Sequence, residues 1–175
     1  MATSTANLNA KLFGSYGGTA DDGGALSTQW LVDLSLGLAS GTGAGNTDLV
    51  YISPTTATAS TSGVTYDLAG TSLVGTALVD RFGTTINFAS VCAFYFHNAS
   101  TTAAEVIKLG GAATNQWLNF LTAGTDLLSI QAGQYVLSLW TATGANVTAT
   151  TGDQFKILSA SGSPAYEMII VGHSA

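Results

Sequence analysis

The side chains able to do chemistry are few and far apart. His97 and His173 are the two histidines and Cys92 is the single cysteine. Neither histidine has a second histidine, a cysteine or a carboxylate at metal-ligand spacing. A Ser-His-Asp triad can assemble from distant parts of a chain. There is no G-x-S-x-G elbow, however, and Gly172-His173-Ser174-Ala175 lacks that motif's last glycine. Glycoside hydrolysis needs two carboxylates across one cleft, and alternation puts both Glu105 and Glu167 on outward strand positions. Asp21-Asp22-Gly23-Gly24 reads as a turn, because further oxygen ligands at calcium-loop spacing are missing. The stretch GTGAGNT from Gly41 to Thr47 is no phosphate loop: it lacks the closing Gly-Lys-Ser/Thr, and it also lacks the third glycine of a dinucleotide fingerprint. The expectation is a chain that is not an enzyme, with no catalytic residue, no cofactor and no metal. Cys92 reads as a small buried hydrophobe, and the two histidines as polar groups at strand ends.

The element that would position anything is the run Thr84 to Ser100, TTINFASVCAFYFHNAS, the densest aromatic and β-branched stretch of the chain. It predicts a central strand. Strict alternation places Cys92, Phe94 and Phe96 on one face and Val91, Ala93 and Tyr95 on the other. Both faces are apolar, so both need a cover: a partner sheet or loops on one side and more protein on the other. Around it, period-two patterns predict short strands at Leu49 to Ser53, Val64 to Leu68, Glu105 to Leu109, Leu127 to Ile130, Gln134 to Thr141, Gln154 to Leu158 and Ala165 to Val171. Ala25 to Ala39 also alternates, broken only at Leu31, and reads as strand rather than helix. Ala112 to Gly124 carries Trp117, Phe120 and Leu121 on either one helical turn or an irregular loop. Those large groups are core lids or a contact patch. The expected fold is all-β, an antiparallel β-sandwich of jelly-roll type. Residues 1–24 form an N-terminal arm, with Leu12, Phe13 and Tyr16 as its apolar cluster, and residues 25–175 form a single sandwich domain.

Composition narrows the function. Charged residues make up 8% of the chain, where an average soluble domain has about 25%. A surface this poor in charge lacks colloidal protection and suits a protein that lives inside an assembly. The net charge of −6, with four lysines and arginines in all, gives no basic footprint for nucleic acid and no attraction to an anionic membrane. No apolar run approaches the ~20 residues of a membrane span. The opening MATSTANLNAKLFG has no basic region followed by an apolar core, so no signal peptide is expected.

From about Val64 onward the chain resembles small tailed-bacteriophage virion proteins of the capsid-decoration (cement) or minor structural type. The resemblance is carried in order by DRFGTTINFASV, HNASTTA, KLGGAATNQW, IQAGQYVLSLW, TATTGDQFKI and a last strand ending IIVGHSA. Cys92 stands where that family usually has a basic residue, and the first third of the chain has no counterpart. The resemblance implies a non-catalytic β-sandwich on the phage particle surface, made in the host cytoplasm. Its partners would be the major capsid protein and copies of itself, as a homodimer or homotrimer, with no nucleic acid and no membrane. Leu12, Phe13, Tyr16, Trp117 and Phe120 are the expected contacts with capsid or sister subunits. The competing expectations are a carbohydrate- or receptor-binding sandwich module using Trp117 beside Asn115 and Asn119, a coat or tail-tube subunit, and, last, a hydrolase.

Overall fold

A computed structural model describes residues 6–19, 25–44, 46–70, 75–80, 82–112, 114–140 and 143–174, with side chains from residue 37 onward. Thirteen strands follow in chain order, and no helix occurs among the described residues. They are β1 (Ala6–Thr19), β2 (Ala25–Ser40), β3 (Asn46–Thr47), β4 (Leu49–Ile52), β5 (Val64–Asp67), β6 (Thr76–Ala77), β7 (Ser90–Asn98), β8 (Ile107–Gly110), β9 (Leu127–Ile130), β10 (Tyr135–Leu139), β11 (Ala145–Asn146), β12 (Gln154–Ser159) and β13 (Tyr166–His173). The all-β expectation is met.

Two five-stranded sheets make the body. One has the order β10-β7-β13-β4, with β11 also paired to β7; the other has the order β6-β5-β12-β8-β9. Their longer strands pair antiparallel. Both sheets feed one core. Phe94, Phe96, Met168 and Ile170 come from the β7 sheet, and Ile107, Leu109, Ile130, Phe155 and Ile157 from the β12 sheet. Short strands with alternate apolar residues can bury only one face each, so two such sheets close on one another. Phe94 meets Phe155 edge-on across the layer at 5.9 Å between ring centres, the geometry in which aromatic quadrupoles attract.

The run singled out in the sequence is the centre of this body. β7 lies between β10 and β13. Phe94 and Phe96 face the core as expected, but the expected places of Cys92 and Val91 are exchanged. The register between β7 and β13 slips at Val171/Gly172, so that Val171 pairs with Ala93 and Gly172 with Val91, leaving Cys92 without an opposite residue. One extra residue inverts the alternation before it. Val91 therefore joins Phe94 in the main core, while Cys92 lies with Ala93 and Val171 in a small cluster on the other side. Gly172 makes the slip possible: a Cβ there would run into the backbone oxygen of Ser90 and the ring of Phe88.

Before the body comes a ribbon. β1 and β2 pair antiparallel over 14 rungs, from Ala6 opposite Leu38 to Thr19 opposite Ala25. The expected strand over residues 25–39 is thus present. The boundary drawn between an arm of residues 1–24 and a domain from residue 25 falls between two strands that belong to one hairpin. Among the described residues, the ribbon's other strand pairing is the parallel one of Ala39 and Ser40 with Asn46 and Thr47 of β3.

Candidate interaction surface

The outer face of the β7 sheet, opposite the core, is built in three cross-strand rows. The register sets Tyr135, His97 and Glu167 side by side; then Leu137, Tyr95, Ile169 and Ile52; then Leu139, Ala93, Val171 and Val50. Residues two apart along a strand share a face, so these rows alternate with the inward rows of Phe96 and Phe94. The first row is polar. His97 stacks flat on the Tyr135 ring at 3.9 Å between centres, and its Nδ1 lies 3.2 Å from the Glu167 carboxylate. Burial and the neighbouring Glu167 carboxylate, which accepts a hydrogen bond from it, hold the Tyr95 hydroxyl above its ordinary pKa.

The second and third rows are apolar and differ in cover. Leu38, 4% exposed, caps the third row, packed with Cys92, Ala93 and Val171. Thr47 of β3 ties down the same corner through its hydroxyl, which donates to the Gly172 carbonyl at 2.7 Å. The second row has no such lid. Leu137 is 42% exposed, and Tyr135 at the rim is 60% exposed. A groove of about 390 Å³ runs over the second row and the adjoining part of the third, lined by Ala93, Tyr95, Leu137, Leu139, Glu167, Ile169 and Val171. An apolar sheet face open to water in a charge-poor chain has the chemistry of a protein-binding surface.

The contact residues expected from the sequence fare differently. Trp117 is 1% exposed and lies in the main core. The loop Ala112 to Gly124 carries no helix among its described residues, and it seats the indole between Phe94, Phe120 and Trp140. The Trp117 Nε1–H donates to the Asn146 carbonyl at 2.9 Å, which satisfies the one polar atom of a buried indole. Phe120 is half-buried against the same cluster. A sugar cannot stack on a ring enclosed in this way, so the Trp117, Asn115 and Asn119 site expected of a carbohydrate-binding module is not formed. Leu12, Phe13 and Tyr16 have side chains outside the described residues. Their register is described: Leu12 lies opposite Val32 and Tyr16 opposite Thr28, while Phe13, opposite Leu31, belongs to the alternate set.

The groove residues were not singled out in the sequence, yet their signal was present. The central strand is apolar on both faces, and Tyr135, Leu137 and Leu139 alternate against Val136 and Trp140, which pack on the core. Three residues of His, Cys, Asp or Glu converge nowhere among the described residues as a metal site would require. A second cleft, of about 660 Å³, opens beside the β4 and β6 edges, with Tyr51, Tyr66 and Tyr166 in its wall. The Tyr66 and Tyr166 hydroxyls share a hydrogen bond of 2.6 Å, and burial pushes Tyr51 up to about 12. No protein-family model, curated protein or solved structure matches the chain.

Proposed function

We propose that this chain is a non-enzymatic structural protein of a bacteriophage particle, a capsid decoration protein that binds the head lattice and stiffens it. The observation that carries the reading is the open second row of the β7 sheet. A half-exposed apolar face that gives no advantage to a free monomer becomes buried area when the chain sits on neighbours. Added across joints between coat subunits, such area opposes internal pressure. The 8% charge content fits a surface spent on contacts.

The strand order supports the same reading. Successive long strands cross between the two sheets, from β4 to β5, β5 to β7, β7 to β8, β9 to β10, β10 to β12 and β12 to β13, with only β8 and β9 adjacent in one sheet. We take this as jelly-roll winding, an architecture shared by viral capsid and lectin domains. The fold alone does not choose between those two. The lectin reading comes second, supported by the tyrosine cleft. It is weakened because Tyr51 and Tyr166 are 6% and 4% exposed, leaving little ring face for a sugar. The partners in the first reading are the major capsid protein and sister copies, and the place is the particle surface after synthesis in the host cytoplasm.

The test is mass spectrometry of particles banded on a density gradient from a lysate of cells producing the phage that encodes this chain. The expected result is many copies per DNA-filled particle. Recovery of the chain only from the soluble fraction would overturn the proposal.

A further inference from the structure

We infer that the open row of the β7 sheet is the seat for the β1–β2 ribbon of a second copy of this chain. The ribbon is amphipathic by register. One alternate set pairs Leu8 with Leu36, Ala10 with Leu34, Leu12 with Val32 and Tyr16 with Thr28. The opposite set is mostly polar, with Asn9 against Ser35, Lys11 against Asp33 and Ser15 against Gln29, and is interrupted by one apolar pair, Phe13 against Leu31. A two-stranded ribbon is marginal alone in water and needs its apolar side covered.

The surface that would cover it is already in use at one end. Leu38 stands in the same alternate set as Leu36 and Leu34, and it caps the third row against Cys92, Ala93 and Val171. The ribbon's apolar set and the outer sheet face therefore match in the one place where both are described. One row further along Leu137 remains exposed, and so does Tyr135 in the row beyond it, so no described side chain covers them. Length also favours a neighbour. Fourteen rungs span roughly 46 Å, at ~3.3 Å per residue, while β7, the longest strand of the sheet, has nine residues. One sheet can seat only about two thirds of such a ribbon. A ribbon reaching a sister chain bridges two bodies with the excess, and reciprocal exchange closes a symmetric oligomer. This holds whether or not the assembly is a phage head, because both surfaces belong to this chain.

The test mixes two full-length single-cysteine variants, Leu34→Cys and Leu137→Cys, each with the buried Cys92 changed to Ala, and adds a short bismaleimide. The expected product is a covalent mixed dimer. Ser35→Cys, on the polar set, should give at least fivefold less with the same partner. Equal yields from both, no dimer, or a cross-link found only within one chain of the Leu34→Cys/Leu137→Cys double variant would overturn the inference. Light scattering gives an independent reading that needs no cysteine. Wild type should be oligomeric at the top of a hundredfold dilution series and Leu137→Glu monomeric there. A wild-type monomer at every concentration would also overturn it. Neither measurement involves phage particles, so failure here leaves the particle assignment standing, and the converse is equally true.

Discussion

The β7 sheet presents two apolar faces that the chain treats differently. On the inner face, Phe94 and Phe96 have no exposed surface and are closed in by the β12 sheet. On the outer face, one residue away along the same strand, Tyr95 sits in a row where Leu137 keeps 42% of its surface in water. Both faces have strand propensity and apolar side chains, so neither property separates fold from function. What separates them is the cover. The inner face finds its partner within the chain and stabilises the fold. The outer face is covered by Leu38 over one row and then left open, which is why both proposals are placed there.

The largest effect should come from opening the inner face. Phe94 touches Phe96, Trp117, Phe120 and Phe155 at ring-centre distances of 5.4 to 6.4 Å. Phe94→Ala leaves a cavity that so many rings cannot all relax to fill, and it should cost about 3–5 kcal/mol. Urea unfolding of the monomer would read this directly. A loss under about 1 kcal/mol would mean that the two faces are equivalent after all.

A middle-sized effect should appear at alkaline pH, again from the inner side. Burial holds Tyr51 at about 12, against an ordinary value near 10, and holds Tyr166 higher still, with the Tyr66 hydrogen bond adding to the effect of burial. A tyrosine whose folded pKa is raised keeps its proton after the unfolded chain has lost it. Its contribution is complete below pH 10 and is lost as pH climbs from 10 towards 12, by about 1.4 kcal/mol per pH unit for each such group. Tyr51→Phe should flatten the fall of stability across that window. An unchanged slope would place the Tyr51 hydroxyl in water rather than in the core.

How far this was legible from residues alone depends on the range of the interaction. Alternation within a strand is local, so the inward set Phe94, Phe96, Phe155, Ile157, Met168 and Ile170 could be read without a partner in view. The exchange of Cys92 and Val91 could not. It follows from a one-residue slip against β13, some eighty positions away, and from the space that Gly172 leaves for Ser90. The ribbon was half visible: residues 25–39 alternate except at Leu31, but β1, with glycines at 14, 17 and 18, resembles a loose arm until its pairing with β2 is known. Trp117 shows a different limit. A large aromatic on a polar loop has the same sequence signature whether the loop folds inward or outward, and here the Asn146 carbonyl and the cluster around Phe94 draw it in. The need for a cover on both sides of the central strand was the most legible feature of all, since a strand apolar on both faces demands two covers.

The smallest effect on folding should be the most informative about function. Leu137 lies on the same sheet as Phe94, and its neighbour Ser138 stands opposite Phe94 in the inward-facing row. Leu137→Ser removes apolar area that the isolated chain has buried only in part. At ~25 cal/mol per Å² the loss should be about 1 kcal/mol or less, measured by urea unfolding at a concentration low enough to keep the chain monomeric. A cost equal to that of Phe94→Ala would mean that the outer row is already sealed by its own chain, leaving nothing to offer a partner. A small cost on folding with a large loss of association would assign the two faces of one sheet to two tasks. The chain would then retain Leu137 for what it meets in the assembly, not for what it packs against in the monomer.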